Sequence, residues 1–129
     1  MKYLIQINTA PCQSQVVENA YQFIKAALLL GHQILRVFFY QDGIFNGLTE
    51  YCLPEEQRNI TRRWSALAKE FGVDLVLCVS AAARRGLSLY DSEQTTEIAQ
   101  KLAPGFRLGG LGLWMEAGLE ADRFLVFGD

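Results

Sequence analysis

Short apolar segments alternate with amphipathic segments along this chain, and that alternation restricts the folds open to it. The segments with strand character are 2–8, 33–40, 73–79, 106–108 and 123–127. The segments with helical spacing are 13–30, 54–71, 92–101 and 111–119, with a short alanine-rich helix after Val79. Strands that alternate with helices predict a mainly parallel sheet, helices on both of its faces and right-handed crossovers.

The size and composition of the chain suit one globular domain. Its 129 residues are half hydrophobic and 20% charged, which favours a buried core over disorder. We therefore predict one α/β domain over residues 1–129. It should have three layers, a sheet of four to five strands and a flavodoxin-like outline.

Charge and cysteine content exclude several classes of protein. A formal net charge of −2 argues against direct binding of nucleic acid, which needs a basic surface. No apolar run approaches the roughly 18 residues of a membrane span, and the first residues are typical of a strand rather than of a secretion signal. Three cysteines, an odd number without metal-type spacing, indicate reduced thiols in the cytoplasm. We predict no bound metal and no cofactor.

Cys78 stands where a buried strand is expected to end and a helix to begin. In open α/β sheets, ligands and chemistry collect at the carboxyl ends of the strands. The free N–H groups of a helix start favour an anion such as a thiolate, and the small residues that follow should leave open space above the sulfur. The alternative is structural, because cysteine often serves as a small buried hydrophobe.

The chemistry open to Cys78 is narrow. The only histidine, His32, precedes the second strand and should lie at the opposite edge of the sheet, where it cannot act as a base for the thiol. No C-x-x-C pair is present, which leaves sulfur exchange through a persulfide. Cys12, in the first strand–helix turn, is a weaker second candidate, and Cys52 is interpreted as a packing residue.

Other candidate sites are weaker. The turn at 8–11 lacks the glycines of a dinucleotide site. Arg58, Arg62 and Arg63 are predicted to form a solvated helix face, whereas Arg84 and Arg85 could lie near the thiol or a partner's acidic surface. Apolar residues that one core-facing stripe cannot bury predict a permanent oligomer. They are Leu28, Leu29, Leu30, Leu111, Leu113, Trp114 and Met115.

Four segments resemble the DsrE/DsrF family, and the resemblance extends over essentially the whole chain. They are FFYQDGI (38–44), DLVLCVSAAARRG (74–86), GLGLW (110–114) and ADR (121–123). The cysteine segment is the specific part. It resembles the sulfur-relay members of the family, and the acceptor cysteine of these proteins corresponds to Cys78.

The resemblance implies a sulfurtransferase. Such a protein accepts a persulfide sulfur on Cys78 from a carrier such as TusA and passes it to a TusE-like acceptor, for 2-thiolation of the wobble uridine of transfer RNA. It also implies TusB- and TusC-like subunits in a heterohexamer, a dimer of heterotrimers. The alternatives are a non-catalytic scaffold subunit and a DsrE-type subunit in sulfur oxidation.

Overall fold

A five-stranded parallel sheet forms the centre of the computed structural model, which describes residues 1–11, 14–49, 55–87 and 101–129. Its strands are β1 (Lys2–Ile7), β2 (Gln33–Phe39), β3 (Leu75–Cys78), β4 (Phe106–Gly109) and β5 (Arg123–Phe127). Their order across the sheet is β4-β3-β2-β1-β5, and every pairing is parallel. The predicted fold class is confirmed.

The described helices are α1 (Val16–Leu29), α2 (Glu55–Phe71), α3 (Val79–Arg84) and α4 (Leu111–Glu120), with a 3-10 helix at Gln41–Gly47. Helix α1 begins at Val16 rather than at the predicted Gln13, and the Ser14 hydroxyl accepts a hydrogen bond from the Val16 amide. The 3-10 helix lies between the predicted strand at 33–40 and the predicted helix at 54–71, in a segment for which the sequence patterns indicate neither a strand nor a helix. The helix predicted at 92–101 lies almost entirely outside the described residues.

The strand order determines which face each helix covers. From β1 to β4 the chain always steps in the same direction, so right-handed crossovers place α1 and α2 on one face. The Trp64 ring of α2 packs there against Phe39 of β2 and Tyr21 of α1, with ring centroids 5.4 and 5.1 Å apart. The step from β4 back to β5 places α4 on the opposite face.

Polar bonds attach α4 to its face of the sheet. The Arg36 guanidinium donates to the Leu113 carbonyl at 2.6 Å, and Trp114 Nε1 donates to Gln6 Oε1 at 3.0 Å. The Trp114 ring also meets Phe124 of β5 edge to face. This helix covers only part of the face, and Phe124 and Val126 of β5 remain exposed.

The corner after β2 is closed by a buried amide. Asn46 in the 3-10 helix is fully buried, donates to the carbonyls of Thr9 and Gly43, and accepts from Trp64 Nε1. A Cβ atom at Gly43 would collide with the Ile7 carbonyl, so the glycine of the FFYQDGI segment is required by a close backbone approach. This corner holds the residues after β2 against the carboxyl end of β1.

Candidate active site

Cys78 ends β3 and is the N-cap residue of α3, as the sequence predicted. All four residues of β3 are buried, and Cys78 is 0% exposed. The expectation of open space above the thiol is therefore wrong for the single chain. The cause is packing, because β3 lies between β2 and β4 and because Ala81 and Ala82 are buried with it.

The register of β3 places Cys78 on the face that α4 covers. Alternate residues of a strand share a face, so Cys78 lies on the same side as Val76. Val76 and Leu113 of α4 both crowd the Cα of Gly109, where an added Cβ would collide with them. Gly109 is the β4 partner of Cys78 in the ladder, and Gly110 is the N-cap of α4. The thiol-bearing residue therefore lies close to the first turns of both α3 and α4.

Two side chains from different elements meet beside Cys78. Tyr40 directly follows Phe39, which pairs with Leu77, so Tyr40 lies level with Cys78 on the neighbouring strand line. The Tyr40 hydroxyl is 3.5 Å from a guanidinium nitrogen of Arg84, in the last turn of α3. This contact, and to a smaller extent an electrostatic interaction with Cys78, raise the pKa of Arg84.

Arg85 has a different role from Arg84. Its guanidinium lies 2.8 Å from Asp42 Oδ1 and donates to the Ala81 carbonyl at 3.0 Å. It therefore joins the 3-10 helix to α3. Within the part of the chain that the structure describes, Arg84 has no carboxylate partner. The sequence singled out both arginines, and the structure places Arg85 against Asp42 and Arg84 against the hydroxyl of Tyr40.

A shallow cavity lies on the α4 face of the sheet. Its volume is about 290 Å³, and it is lined by Gln6, Phe38, Tyr40, Leu111 and Trp114. Leu111 starts α4 and is partly exposed, whereas Phe38 is fully buried at the floor. Tyr40 thus belongs both to this cavity and to the Arg84 contact.

The remaining predicted residues lie elsewhere. His32 precedes β2 at the amino edge, as predicted, and its Nδ1 is 3.1 Å from the N-terminal nitrogen. Cys12 and Cys52 lie outside the described residues. Arg62 is exposed as expected, but Arg63 is not simply solvated, because its guanidinium binds both carboxylate oxygens of Glu18, at 2.7 and 2.8 Å.

Clusters of metal ligands and membrane-spanning helices are both missing from residues 1–11, 14–49, 55–87 and 101–129. Within them, no group of three or more histidine, cysteine, aspartate or glutamate side chains could hold a metal ion. No helix there is long and apolar enough to cross a membrane.

Comparison with known proteins identifies close relatives. The sequence model of the DsrE/DsrF-like family matches residues 1–127. The DsrE protein of Allochromatium vinosum is 45% identical over 100% of both chains. A sulfurtransferase TusD homolog of Vibrio vulnificus is 40% identical, and sulfurtransferase TusD of Yersinia pestis is 36% identical, each over 98% of both chains.

A solved structure supports the same fold. The ychN protein of E. coli superposes with a TM-score of 0.73 at 22% identity, over 98% of this chain and 99% of that one. The predicted family, its resemblance to TusD and the sulfurtransferase class are confirmed by these comparisons.

Proposed function

This chain belongs to the DsrE/DsrF-like family, and we propose that Cys78 is the residue on which it carries sulfur. The observation that carries the proposal is the position of Cys78 at the carboxyl end of β3, where α3 begins and α4 starts beside its ladder partner. Helix starts carry partial positive charge and favour an anionic sulfur. A purely structural cysteine would not need this position.

The proposed reaction is thiol–persulfide exchange. The Cys78 thiolate attacks the outer sulfur of a donor persulfide, so that a new S–S bond forms at Sγ while the donor's S–S bond breaks and its thiolate leaves. In the second step an acceptor thiolate attacks the outer sulfur, and Cys78 leaves as a thiolate. Atoms and electrons balance without an added oxidant, reductant or metal, and His32 is too far away to act as a base.

We further propose that the donor is TusA-like, the acceptor is TusE-like and the product pathway is 2-thiolation of the transfer-RNA wobble uridine, in the cytoplasm. The two TusD relatives, at 40% and 36% identity with near-complete coverage, support this version. A DsrE-type role in sulfur oxidation is the second candidate, because the DsrE relative is 45% identical over its full length. A scaffold role remains the alternative if Cys78 carries no sulfur.

The proposed assembly is a heterohexamer with TusB- and TusC-like subunits. Its support is an exposed apolar surface, here called the α4–β5 surface, formed by Leu111, Met115, Leu119, Phe124 and Val126. The three α4 residues recur every fourth position, so they form one stripe along the helix. Contiguous exposed apolar surface of this kind marks protein interfaces.

The test is intact-protein and peptide mass spectrometry after incubation with a cysteine desulfurase, cysteine and a TusA-like carrier. We expect one added sulfur atom on the Cys78 peptide, lost in Cys78→Ser and kept in the matched variant Cys12→Ser. Sulfur found on Cys12 instead would contradict the proposal. The loaded protein is then offered acceptors from a tRNA-thiolation relay and from a sulfur-oxidation relay, and the faster discharge identifies the pathway.

A further inference from the structure

We propose that Arg84 is a positioning residue for this exchange, and that its guanidinium holds the anionic sulfur species in line with Cys78. The inference rests on the proposed function of Cys78. Arg84 lies outside the β3–α3 junction at Cys78, and its proposed role differs from that of the helix starts there.

Arg84 contacts a residue that lies level with Cys78 on the neighbouring strand. Arg84 ends α3 six positions after the thiol, and its guanidinium turns toward the Tyr40 hydroxyl, 3.5 Å away. Tyr40 lies level with Cys78, because the residues just before them, Phe39 and Leu77, are ladder partners. Contact with Tyr40 therefore holds the Arg84 guanidinium at the carboxyl edge of the sheet, which is the edge where Cys78 lies.

Arg84 differs in its charge partners from most of the other described arginines. Four other arginines have a carboxylate oxygen within 2.6–2.8 Å; they are Arg36, Arg63, Arg85 and Arg107. Among the described residues Arg84 has none, although Asp42 lies near enough to bind the adjacent Arg85. As far as the described residues go, Arg84 is an exposed cation without a carboxylate counter-ion, at the same sheet edge as Cys78, and is available to an incoming anion.

The chemistry supplies that anion. The attacking species in exchange is a thiolate, and during transfer its negative charge is shared by the incoming, transferred and leaving sulfurs. A guanidinium nearby lowers the energy of that arrangement, and more so where water is partly excluded. Arg84 also interacts favourably with the dipole of α3, because it is a cation in the last turn of that helix. The experiment must separate the two.

The experiment compares two alkylating reagents of nearly equal shape, iodoacetate, which is anionic, and iodoacetamide, which is neutral. Both are applied to the full chain carrying Cys12→Ser and Cys52→Ser. Because Cys78 is buried, both rates include the same opening step, which cancels in their ratio. We compare wild-type Arg84 with Arg84→Gln, Arg84→Lys and the charge-matched control Arg123→Gln, which lies at the amino end of β5.

We expect Arg84→Gln to lower the iodoacetate-to-iodoacetamide ratio about two- to fivefold at low salt, and the difference to shrink at about 1 M salt. Arg84→Lys should restore most of the ratio, and Arg123→Gln should leave it unchanged. Loading of Cys78 from a persulfide donor should slow about three- to tenfold in Arg84→Gln.

The outcomes distinguish this inference from the function on which it rests. The positioning role is overturned if the reagent ratio is unchanged in Arg84→Gln, or if the iodoacetate and iodoacetamide rates fall equally. Normal loading of Cys78 from a persulfide donor would leave the proposed function intact in that case. Failure of wild-type Cys78 to acquire sulfur overturns the proposed function instead. The reagent ratio needs no persulfide and is still measured in that case.

Discussion

Cys78 and Gly109 are partners across the β3–β4 ladder, and a helix begins directly after Cys78 and two residues beyond Gly109. The pairing brings the amino ends of α3 and α4 to one point on the carboxyl edge. Gly109 has no room for a side chain, because Leu113 of α4 and Val76 of β3 close over its Cα. The geometry around the thiol therefore depends on Gly109, a residue without a reactive side chain.

A methyl group at Gly109 should loosen this junction. We expect Gly109→Ala to lower the free energy of unfolding by about 1–3 kcal/mol, the usual cost of forcing an atom into a packed site. The matched control is Gly112→Ala in α4, where an added Cβ meets nothing within 4 Å and should stabilise the helix by about 0.5–1 kcal/mol. Urea unfolding measures both, and equal effects of the two substitutions would contradict this description of the junction.

The Glu18–Arg63 pair should make stability depend on pH. Hydrogen bonds from Arg63 and then Gln22 lower the pKa of Glu18 to about 2. Because the pKa of Glu18 is lower in the folded state, its ion pair contributes fully to stability at pH values above the unfolded-state pKa, near 4.3. This contribution is lost as pH falls toward 2. Since both side chains are partly exposed, we expect Glu18→Gln to cost only about 1 kcal/mol at pH 7.

The measurement is chemical unfolding of wild type and Glu18→Gln across that pH range. The difference between the two proteins should be constant above about pH 5 and should narrow below it. Glu70→Gln, an exposed carboxylate at the end of α2, serves as the control. A difference that persists unchanged to pH 2 would show that the ion pair is not its cause.

His32 should have no part in sulfur transfer. It lies at the amino edge of the sheet beside Met1 and Tyr3, whereas Cys78 ends β3 at the carboxyl edge. We expect His32→Ala to transfer sulfur from loaded Cys78 to an acceptor at the wild-type rate, with chelator present and without nucleotide. A rate more than about tenfold lower, at unchanged stability, would mean that the chemistry depends on this edge.

The α4–β5 surface should mediate subunit association. A charge at Met115 or Leu119, which are 59% and 85% exposed, adds no strain to the free chain but is costly in an apolar interface. We expect Met115→Lys to reduce recovery of partner subunits in co-purification at least tenfold. The control is Leu30→Lys, which also replaces an exposed apolar side chain by a lysine, at the end of α1. If Leu30→Lys abolished assembly and Met115→Lys did not, the interface would lie at the end of α1 instead.

Local pattern was enough to predict the strands, their parallel arrangement and the position of Cys78 at a strand–helix junction. It failed where contacts join distant segments. Arg63 looked solvated from helical spacing alone, because Glu18 lies 45 residues earlier in the chain. The 3-10 helix depends on Asn46, whose partners Thr9 and Trp64 belong to other elements.

The burial of Cys78 and the contact between Arg84 and Tyr40 could not be predicted from the sequence, for the same reason. Small residues after a strand suggest open space in the sequence, but in the fold Ala81 and Ala82 pack inward beside the thiol. The approach of Tyr40 to Arg84 follows from the β2–β3 register, which no local pattern contains.

The full burial of Cys78 bears on how a transferred atom survives transit. On the proposed function Cys78 carries a persulfide, and a persulfide exposed to solvent is discharged by any small thiol that collides with it, because exchange needs direct access to the outer sulfur. Beneath closed packing, that sulfur is shielded from glutathione-like reductants. Discharge then awaits whatever displaces the residues above it, so leakage and delivery are separated kinetically, by access, rather than by affinity.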